Sequence, residues 1–291
     1  MTLFDEIKES FREGSALTRL IYINLAVFLL VRLANVFFFL AGTPFPFLDW
    51  LALPADFATL AIRPWTIITY MFLHFDFLHI LFNLLWLYWM GQIFLGYFDQ
   101  AKLIAIYLMG GIAGGLFYVA GYNLFPAFSH MVVDSRLLGA SASVIAIVAA
   151  LAMYAPNHTI HLMFIGPVRM KYLALFSVLL YIIGISSTNA GGNLAHLGGA
   201  FWGMIYVLQL RKGIDLGKGI TGLISGIKKL FMPKPKVKVS YRKPSDEIEY
   251  NRQKNKDQIR MNQILEKISK SGYDALSKEE KEILFRMGKK D

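Results

Sequence analysis

The sequence contains no cysteine, and charged residues make up only 17% of its 291 positions. The first absence excludes disulfide bonds, a cysteine nucleophile and thiolate metal sites. The second excludes an ordinary soluble domain, in which roughly a quarter of the residues are charged. Hydrophobic residues reach 55%, and several runs exceed the roughly 18 apolar residues of a spanning helix. Most of the chain is therefore predicted to lie in a lipid bilayer.

The positive net charge of the protein is confined to the end of the chain, and the apolar part carries no net charge. Residues 1–210 hold nine Lys/Arg and nine Asp/Glu, whereas residues 211–291 hold 21 and 11. From Arg211 to Lys243, ten basic residues accompany a single acidic one. Such a segment stays on the cytoplasmic side and lies near anionic lipid. We therefore expect the bilayer as its partner, and not nucleic acid.

Six apolar segments are predicted to span the membrane. They cover about residues 20–41, 77–94, 103–120, 139–154, 172–185 and 194–210. Six spans followed by a basic tail place both termini in the cytoplasm. The proline-broken, aromatic connection at 42–66 is predicted to lie in the membrane interface. The predicted fold class is thus an all-α membrane protein, a six-transmembrane-helix bundle with a small helical cytoplasmic tail.

The chain is expected to divide into four parts. These are a cytoplasmic N-terminal lead at 1–19, the membrane domain at 20–210, a basic linker at 211–244 and a C-terminal tail at 245–291. In the tail, Ser277 and Glu280 have the spacing of a capping box, and Gly272 marks a turn before it. The tail is therefore predicted to be a helical hairpin.

Three of the predicted spans start from the outer face with an unusual polar residue near the start. These residues are His79 and Asn83 in the second span, Ser141 in the fourth and His196 in the sixth. Taken singly, a serine or histidine in an apolar helix is more often a packing residue. Several at one depth favour a functional site, because polar groups in the membrane are costly and tend to be placed for use.

The chemistry of a serine nucleophile fits these residues. Ser141 would attack a carbonyl carbon while neutral His196 takes its proton as general base. His196 shares a helix face with Gly199 and Gly203, and such small residues let two helices approach closely. The sixth helix could thereby reach the small-residue start of the fourth, at Gly139.

The second span offers donors for the negative charge that such an attack creates. His79 and Asn83 are four residues apart and therefore lie on one helix face. An imidazole N–H, a side-chain amide and the backbone N–H groups at the start of the fourth span, including that of Ser141, could stabilise an oxyanion.

Metal and paired-carboxylate chemistries are disfavoured. The sequence has neither a His-Glu-x-x-His motif nor a Gly-Asp dipeptide. His74 and His130 are predicted in or near outer loops and His158 and His161 on the inner side, so neither pair completes a site. No metal ion and no cofactor are expected.

The combined residues resemble the rhomboid family of intramembrane serine proteases over about residues 64–210. The matching elements are His79-x-x-x-Asn83, Gly139-x-Ser141 and Ala195-His196-x-Gly198-Gly199. The resemblance implies a Ser141–His196 dyad without a third carboxylate, in a water-accessible cavity open to the outside. It implies that the substrates are transmembrane proteins, cleaved in or beside a helix that enters near the fifth span. The family's range and the absence of an organelle presequence assign the chain to a bacterial plasma membrane.

Three positions depart from the family pattern. Ala142 follows the serine where glycine is common, and Ile145 stands where a tyrosine often stacks on the histidine. Leu95 replaces an acidic residue at the inner end of the second span. None of these changes removes a reacting group, so an active enzyme is expected.

Two other functions remain open at this point. One is a non-catalytic rhomboid-like protein that binds client helices, although such members usually lack the serine or the histidine. The other is a small-solute transporter that uses Arg32, His79 and Asn83, although these polar residues do not extend through the membrane depth. The sequence makes no prediction of the oligomeric state.

Overall fold

The computed structural model describes residues 2–163, 165–231 and 244–287, which are mostly helical. It divides into two units, residues 1–232 and 233–291. The helices are α1 Leu3–Glu13, α2 Ala16–Leu40, α3 Leu48–Leu51, α4 Phe57–Ile62, α5 Thr66–Thr69, α6 Phe77–Leu95, α7 Gln100–Leu124, α8 Ser141–Tyr154, α9 Met170–Ile183, α10 Ala190–Arg211, α11 Gly217–Phe231, α12 Pro244–Ser271 and α13 Lys278–Met287. The strands are β1 Leu53–Pro54, β2 Arg136–Leu137, β3 Thr159–Leu162 and β4 Gly166–Arg169.

Three helices of the first unit, α2, α6 and α7, are long and apolar enough to cross a membrane. The helices α8 and α9 are apolar but shorter. With 14 residues, α8 is about 21 Å long at 1.5 Å per residue, which is less than the roughly 30 Å hydrocarbon core. One end of α8 must therefore lie below the level reached by the longer helices around it.

Each predicted span falls on one helix, but several helix ends differ from the prediction. The helix α2 begins at Ala16 because the Ser15 side chain accepts a hydrogen bond from the Thr18 N–H. The helix α7 begins at Gln100 because Asp99 caps it by accepting from the Lys102 N–H at 2.8 Å. Both ends are fixed by polar caps just outside the apolar runs.

The prediction of an all-α protein is wrong in one respect. The strands β3 and β4 pair as an antiparallel hairpin between α8 and α9, and β1 pairs with β2. In β3 the buried Ile160 alternates with the exposed Thr159 and His161, which is a strand pattern too short to stand out in an apolar chain. Gly166, at φ +90°, starts the returning strand.

Small residues bring α7, α8 and α10 together at the centre of the first unit. On α7, added Cβ atoms at Gly110 and Gly114 would meet the Cβ atoms of Ala146 and Ala142 on α8. These two glycines of α7, four residues apart, therefore face α8. Close approach of the backbones compensates for the small side-chain volume at this contact.

The segments that connect the helices lie at two ends of the first unit, as contacts between distant parts of the chain show. At one end β1 and β2 join the segment after α2 to the segment before α8. At the opposite end, the Ala16 N–H donates to Gln100 Oε1 at 2.8 Å, and Arg211 Nη2 donates to the Met153 carbonyl at 2.6 Å. The long helices of the unit thus run alternately between these two ends.

The predicted interfacial connection after α2 is built from short helices around a tryptophan pair. The rings of Trp50 and Trp65 stack with centroids 5.9 Å apart, and Arg63 lies 4.6 Å above the Trp50 ring. Both tryptophans remain exposed, at 47% and 42%. Stacked, exposed aromatic rings beside an arginine suit the headgroup region of a bilayer.

The second unit contains the hairpin of α12 and α13. Ser277 Oγ accepts from the Glu280 N–H at 3.2 Å, and Glu280 accepts from the Ser277 N–H at 2.8 Å, so both bonds of the predicted capping box are present. Ile264 and Leu276 are buried between the helices. The basic linker predicted at 211–244 falls partly on 232–243, outside the described residues; its first part forms α11.

Candidate active site

Ser141 is the first residue of α8 and follows a turn that requires glycine. Gly139 has φ +119°, where residues with a Cβ are strained. A Cβ at Gly139 would lie 2.9 Å from His79 Nε2, so no side chain fits between this turn and the imidazole. The Gly139 N–H donates to the Tyr70 carbonyl at 2.9 Å, which fixes the turn from the other side. The turn therefore holds Ser141 and His79 beside each other.

His196 reaches Ser141 from α10. Its Nε2 lies 2.6 Å from Ser141 Oγ, within hydrogen-bonding distance. Further along the same face of α10, a Cβ at Gly199 or Gly203 would overlap the main-chain carbonyl of Ala142 or Ala146 on α8. The two glycines thus let the backbones of α8 and α10 touch, and the imidazole spans the remaining gap to the serine.

The other ring nitrogen of His196 has no carboxylate beside it. Within the described residues, His196 Nδ1 is buried and has no hydrogen-bond partner. When Nε2 accepts the hydrogen bond from the Ser141 hydroxyl, Nδ1 carries the ring hydrogen of the neutral imidazole. The Tyr181 ring of α9 packs against the imidazole, with centroids 4.4 Å apart and an angle of 54° between the planes. In the part of the chain that the structure describes, the imidazole therefore has an aromatic contact but lacks the carboxylate that bonds Nδ1 in many serine hydrolases.

His79 and Asn83 lie on the face of α6 that lines the same cavity as Ser141 and His196. Asn83 is buried, at 7% exposure, and its Nδ2 donates to the His79 carbonyl at 2.9 Å. An amide nitrogen carries two hydrogens, so this bond leaves the second one available to a ligand. The first N–H groups of α8 also have no acceptor within the helix. Together they can surround a negatively charged oxygen in front of Ser141.

The cavity at this end of the first unit has a volume of about 680 Å³. That volume is typical of pockets that bind a small ligand or a short peptide segment. Its lining combines the polar groups of the site with the apolar side chains of Phe82, Trp86, Val144 and Ile145. Such a lining suits an extended stretch of apolar peptide.

His74 lies in the non-helical segment before α6, as predicted, and it contacts residues of the site although it does not line the cavity. It is fully buried, and its Nε2 accepts from the Ala140 N–H at 3.2 Å. Its ring meets that of His79 edge-on at 5.1 Å. His74 thus supports both the turn before Ser141 and the donor on α6. A possible signal in the sequence was the apolar run immediately before it, which the structure buries.

The remaining histidines lie apart from this cavity. His158 Nδ1 is 2.9 Å from the Tyr97 hydroxyl at the opposite end of the unit. His130 is exposed in the short turn before β2, and His161 is exposed on β3. Among the described residues, no group of three His, Asp or Glu side chains could hold a metal ion.

Arg32, considered for a solute pathway, lies over the Phe75 ring at 4.8 Å.

Two of the departures from the rhomboid pattern fall inside the site. Ala142 is buried, and its methyl group faces Gly114 of α7, where there is room for it. Ile145 lies one helical turn after Ser141 and lines the cavity without offering an aromatic ring. Leu95, the third departure, ends α6 at the end of the unit opposite the cavity.

Two parts of the chain match known protein families. Residues 62–213 match the Rhomboid domain family, and residues 246–290 match a family of unknown function, DUF6576. RHOMBOID-like protein 12, mitochondrial, of Arabidopsis thaliana is 34% identical over 157 residues, covering 51% of this chain and 47% of that protein. Rhomboid protease GlpG of Yersinia pseudotuberculosis is 28% identical over 158 residues, covering 54% and 52%. The chain therefore spans about half the length of these relatives.

Proposed function

The chain belongs to the rhomboid family, and from this we propose that it is an intramembrane serine endopeptidase acting on other membrane proteins. The family and the long apolar helices make it a membrane protein. In the proposal, Ser141 is the nucleophile and His196 the general base, and the bond cleaved lies in or beside a transmembrane segment. The observation that carries the proposal is the 2.6 Å separation of His196 Nε2 from Ser141 Oγ beside the donors of α6.

The first half of the reaction forms an acyl-enzyme. Ser141 Oγ attacks the carbonyl carbon of the scissile peptide bond while its proton passes to His196 Nε2. The carbonyl oxygen of the tetrahedral intermediate then carries the negative charge. When the carbon–nitrogen bond breaks, the imidazolium gives its proton to the leaving amine. The second half repeats these steps with water in place of Ser141 Oγ and releases the new carboxyl group.

The negative charge in both halves is stabilised by His79, Asn83 and the Ser141 N–H. Removing one such donor typically costs about 3 kcal/mol of transition-state stabilisation, or roughly a hundredfold in rate. The buried position of Asn83 increases the value of its bond, because little water competes for the oxygen there.

We propose that six helices span the membrane, namely α2 and α6 to α10, with both termini and the tail in the cytoplasm. The end of the unit opposite the cavity carries Lys102, Arg169, Lys171 and Arg211, the expected cytoplasmic excess of positive charge. The four-part organisation at 1–19, 20–210, 211–244 and 245–291 and the binding of anionic lipid by the basic linker belong to the same proposal. A bacterial plasma membrane is part of the same proposal; of the two relatives described above, one is bacterial and the other is mitochondrial.

Substrate enters the cavity beside α9. The outer half of this helix lines the cavity with Ser177 and Tyr181, whereas Phe176 and Leu180 on its other faces are exposed. Its buried residues, Met170 and Leu173, belong to the inner half. A helix held mainly at its inner end can give way at its outer end to an arriving transmembrane segment.

The test is cleavage of a reporter transmembrane substrate in liposomes. The parent protein should cleave it, and Ser141→Ala and His196→Ala should each lose activity by at least about a thousandfold. Ser143→Ala is the matched control, because this buried serine lies on α8 only two residues away and has its Oγ 4.0 Å from Met71 Sδ. Equal cleavage by Ser141→Ala and the parent would contradict the proposal. A folded parent that retains client helices without cleaving them would support the non-catalytic alternative.

A further inference from the structure

The imidazole of His196 is held by contacts at two places. Its Nε2 bonds Ser141, whereas its Nδ1 has no partner in the described part of the chain. A single hydrogen bond fixes one atom of the ring and does not stop the ring from turning about that hydrogen bond. The Tyr181 ring packs against the imidazole, with centroids 4.4 Å apart and an angle of 54° between the planes. We propose that Tyr181 is the positioning residue that orients the His196 imidazole towards Ser141, an inference that rests on the proposed function.

On α8, the position that could place an aromatic ring against His196 is not occupied by an aromatic residue. Residue 145 lies four residues after Ser141, on the same helix face, and is isoleucine. Ile145 lines the cavity together with Tyr181 and His196. The aromatic contact is instead contributed across the cavity by α9. In this chain the ring that packs against the imidazole is therefore carried by α9.

The ring contact also suits the charged form of His196. After it takes the Ser141 proton, the imidazole is a cation, and an aromatic face within about 6 Å attracts a cation. Two tilted rings at this separation are also close to the lower limit, about 4.5 Å, of favourable aromatic pairs. Tyr181 therefore favours the orientation before the attack and the charge after it, and both effects raise kcat more than they change substrate binding.

The kinetic experiment compares Tyr181→Leu, Tyr181→Phe and the parent in liposomes. Tyr181→Leu should lower kcat about tenfold and change KM by less than about twofold, because ring contacts of this kind correspond to roughly one factor of ten. Tyr181→Phe keeps the ring and should stay within about threefold of the parent. The matched control is Tyr172→Leu, since Tyr172 is an aromatic residue at the inner end of α9 that is 55% exposed. This control should leave kcat unchanged.

A rescue variant separates orientation from simple packing. In Ile145→Tyr/Tyr181→Leu, the ring returns to the imidazole from α8 while α9 keeps its leucine. On a logarithmic scale, this double variant should recover at least half of the kcat that Tyr181→Leu loses relative to the parent. A kcat for Tyr181→Leu equal to that of the parent, or an equal loss in Tyr181→Phe, would overturn the proposal.

A spectroscopic measurement tests the contact without activity. In protein labelled at histidine, the ring protons of His196 should be shifted upfield by the Tyr181 ring current in the parent and in Tyr181→Phe. Tyr181→Leu should remove the shift, and Tyr172→Leu should keep it. Absence of the shift in the parent overturns the proposal even if Tyr181→Leu fails to fold. If the shift is present but the parent cleaves no substrate, orientation by Tyr181 is upheld and the proposed function fails.

Discussion

Gly199 of α10 lies against the main-chain carbonyl of Ala142 in α8, with no room for a methyl group between them. This contact is one residue from Ser141 on α8 and three residues from His196 on α10. The approach of the two backbones therefore sets the distance between the serine and the imidazole.

Gly199→Ala should reduce both stability and activity. The added methyl group must push α8 and α10 apart, and overpacking of this kind costs typically 1 to 3 kcal/mol. Thermal unfolding in detergent measures the first effect, and cleavage of the reporter substrate measures the second. Gly219→Ala is the control, because a Cβ at this position of α11 would meet no atom within 4 Å. An unchanged melting temperature for Gly199→Ala would contradict this account of the contact.

Gly139→Ala should impair catalysis more than it impairs stability. The residue would be strained at φ +119°, and its methyl group would displace the His79 imidazole 2.9 Å away. Strain at one such position costs about 1 to 3 kcal/mol. The expected result is a kcat reduced at least about tenfold in a protein that still folds. Activity equal to that of the parent would mean that His79 has no part in the reaction.

Asn83→Ala should lower kcat about a hundredfold and leave KM nearly unchanged, because an oxyanion forms only during the reaction. The comparison is Asn123→Ala on α7. Asn123 Nδ2 donates to the Ala55 and Val119 carbonyls, each at 2.8 Å, and Asn123 does not line the cavity. That variant should lose stability but keep kcat. If Asn83→Ala lowered kcat/KM mainly by raising KM, Asn83 would be assigned to substrate binding.

The helical tail should lose part of its stability in acid. Hydrogen bonds from Lys267 and Ser277 hold the pKa of Glu280 below its ordinary value of 4.5. A lowered pKa in the folded state means that this contribution is complete above about 4.5 and disappears as the pH falls through the folded value. The protection factors of the α13 amides in the full chain, which are exchange rates corrected for the intrinsic effect of pH, should therefore fall in acid.

The matched variant for the tail is Glu280→Gln, in which the α13 protection factors should already be lower at neutral pH and should change little further in acid. Equal exchange in the parent and this variant at neutral pH would show that the capping box does not stabilise α13.

The polar residues of the site could be predicted because each one interrupts an apolar run. His79, Asn83, Ser141 and His196 are conspicuous in such surroundings, and the alternation of spans places them at one depth. The small residues Gly199 and Gly203 likewise mark a helix face that can approach another helix. Composition and periodicity were sufficient for these features.

The supporting residues could not be predicted in the same way. Tyr181 lies in an apolar helix where an aromatic residue is ordinary, and only the tertiary fold brings it to His196. His74 precedes α6 in a segment that looks like a loop, and its burial depends on the turn at Ala140. The hairpin of β3 and β4 was missed because strands of four residues give too short a pattern.

The most direct measurement is reaction of the purified, folded protein with a serine-directed fluorophosphonate, followed by mass spectrometry of the modified peptide. The account predicts one adduct, on Ser141, that is absent from Ser141→Ala, strongly reduced in His196→Ala and retained in Ser143→Ala. A folded parent that forms no adduct, or forms it on another serine, would contradict the claim that His196 activates Ser141.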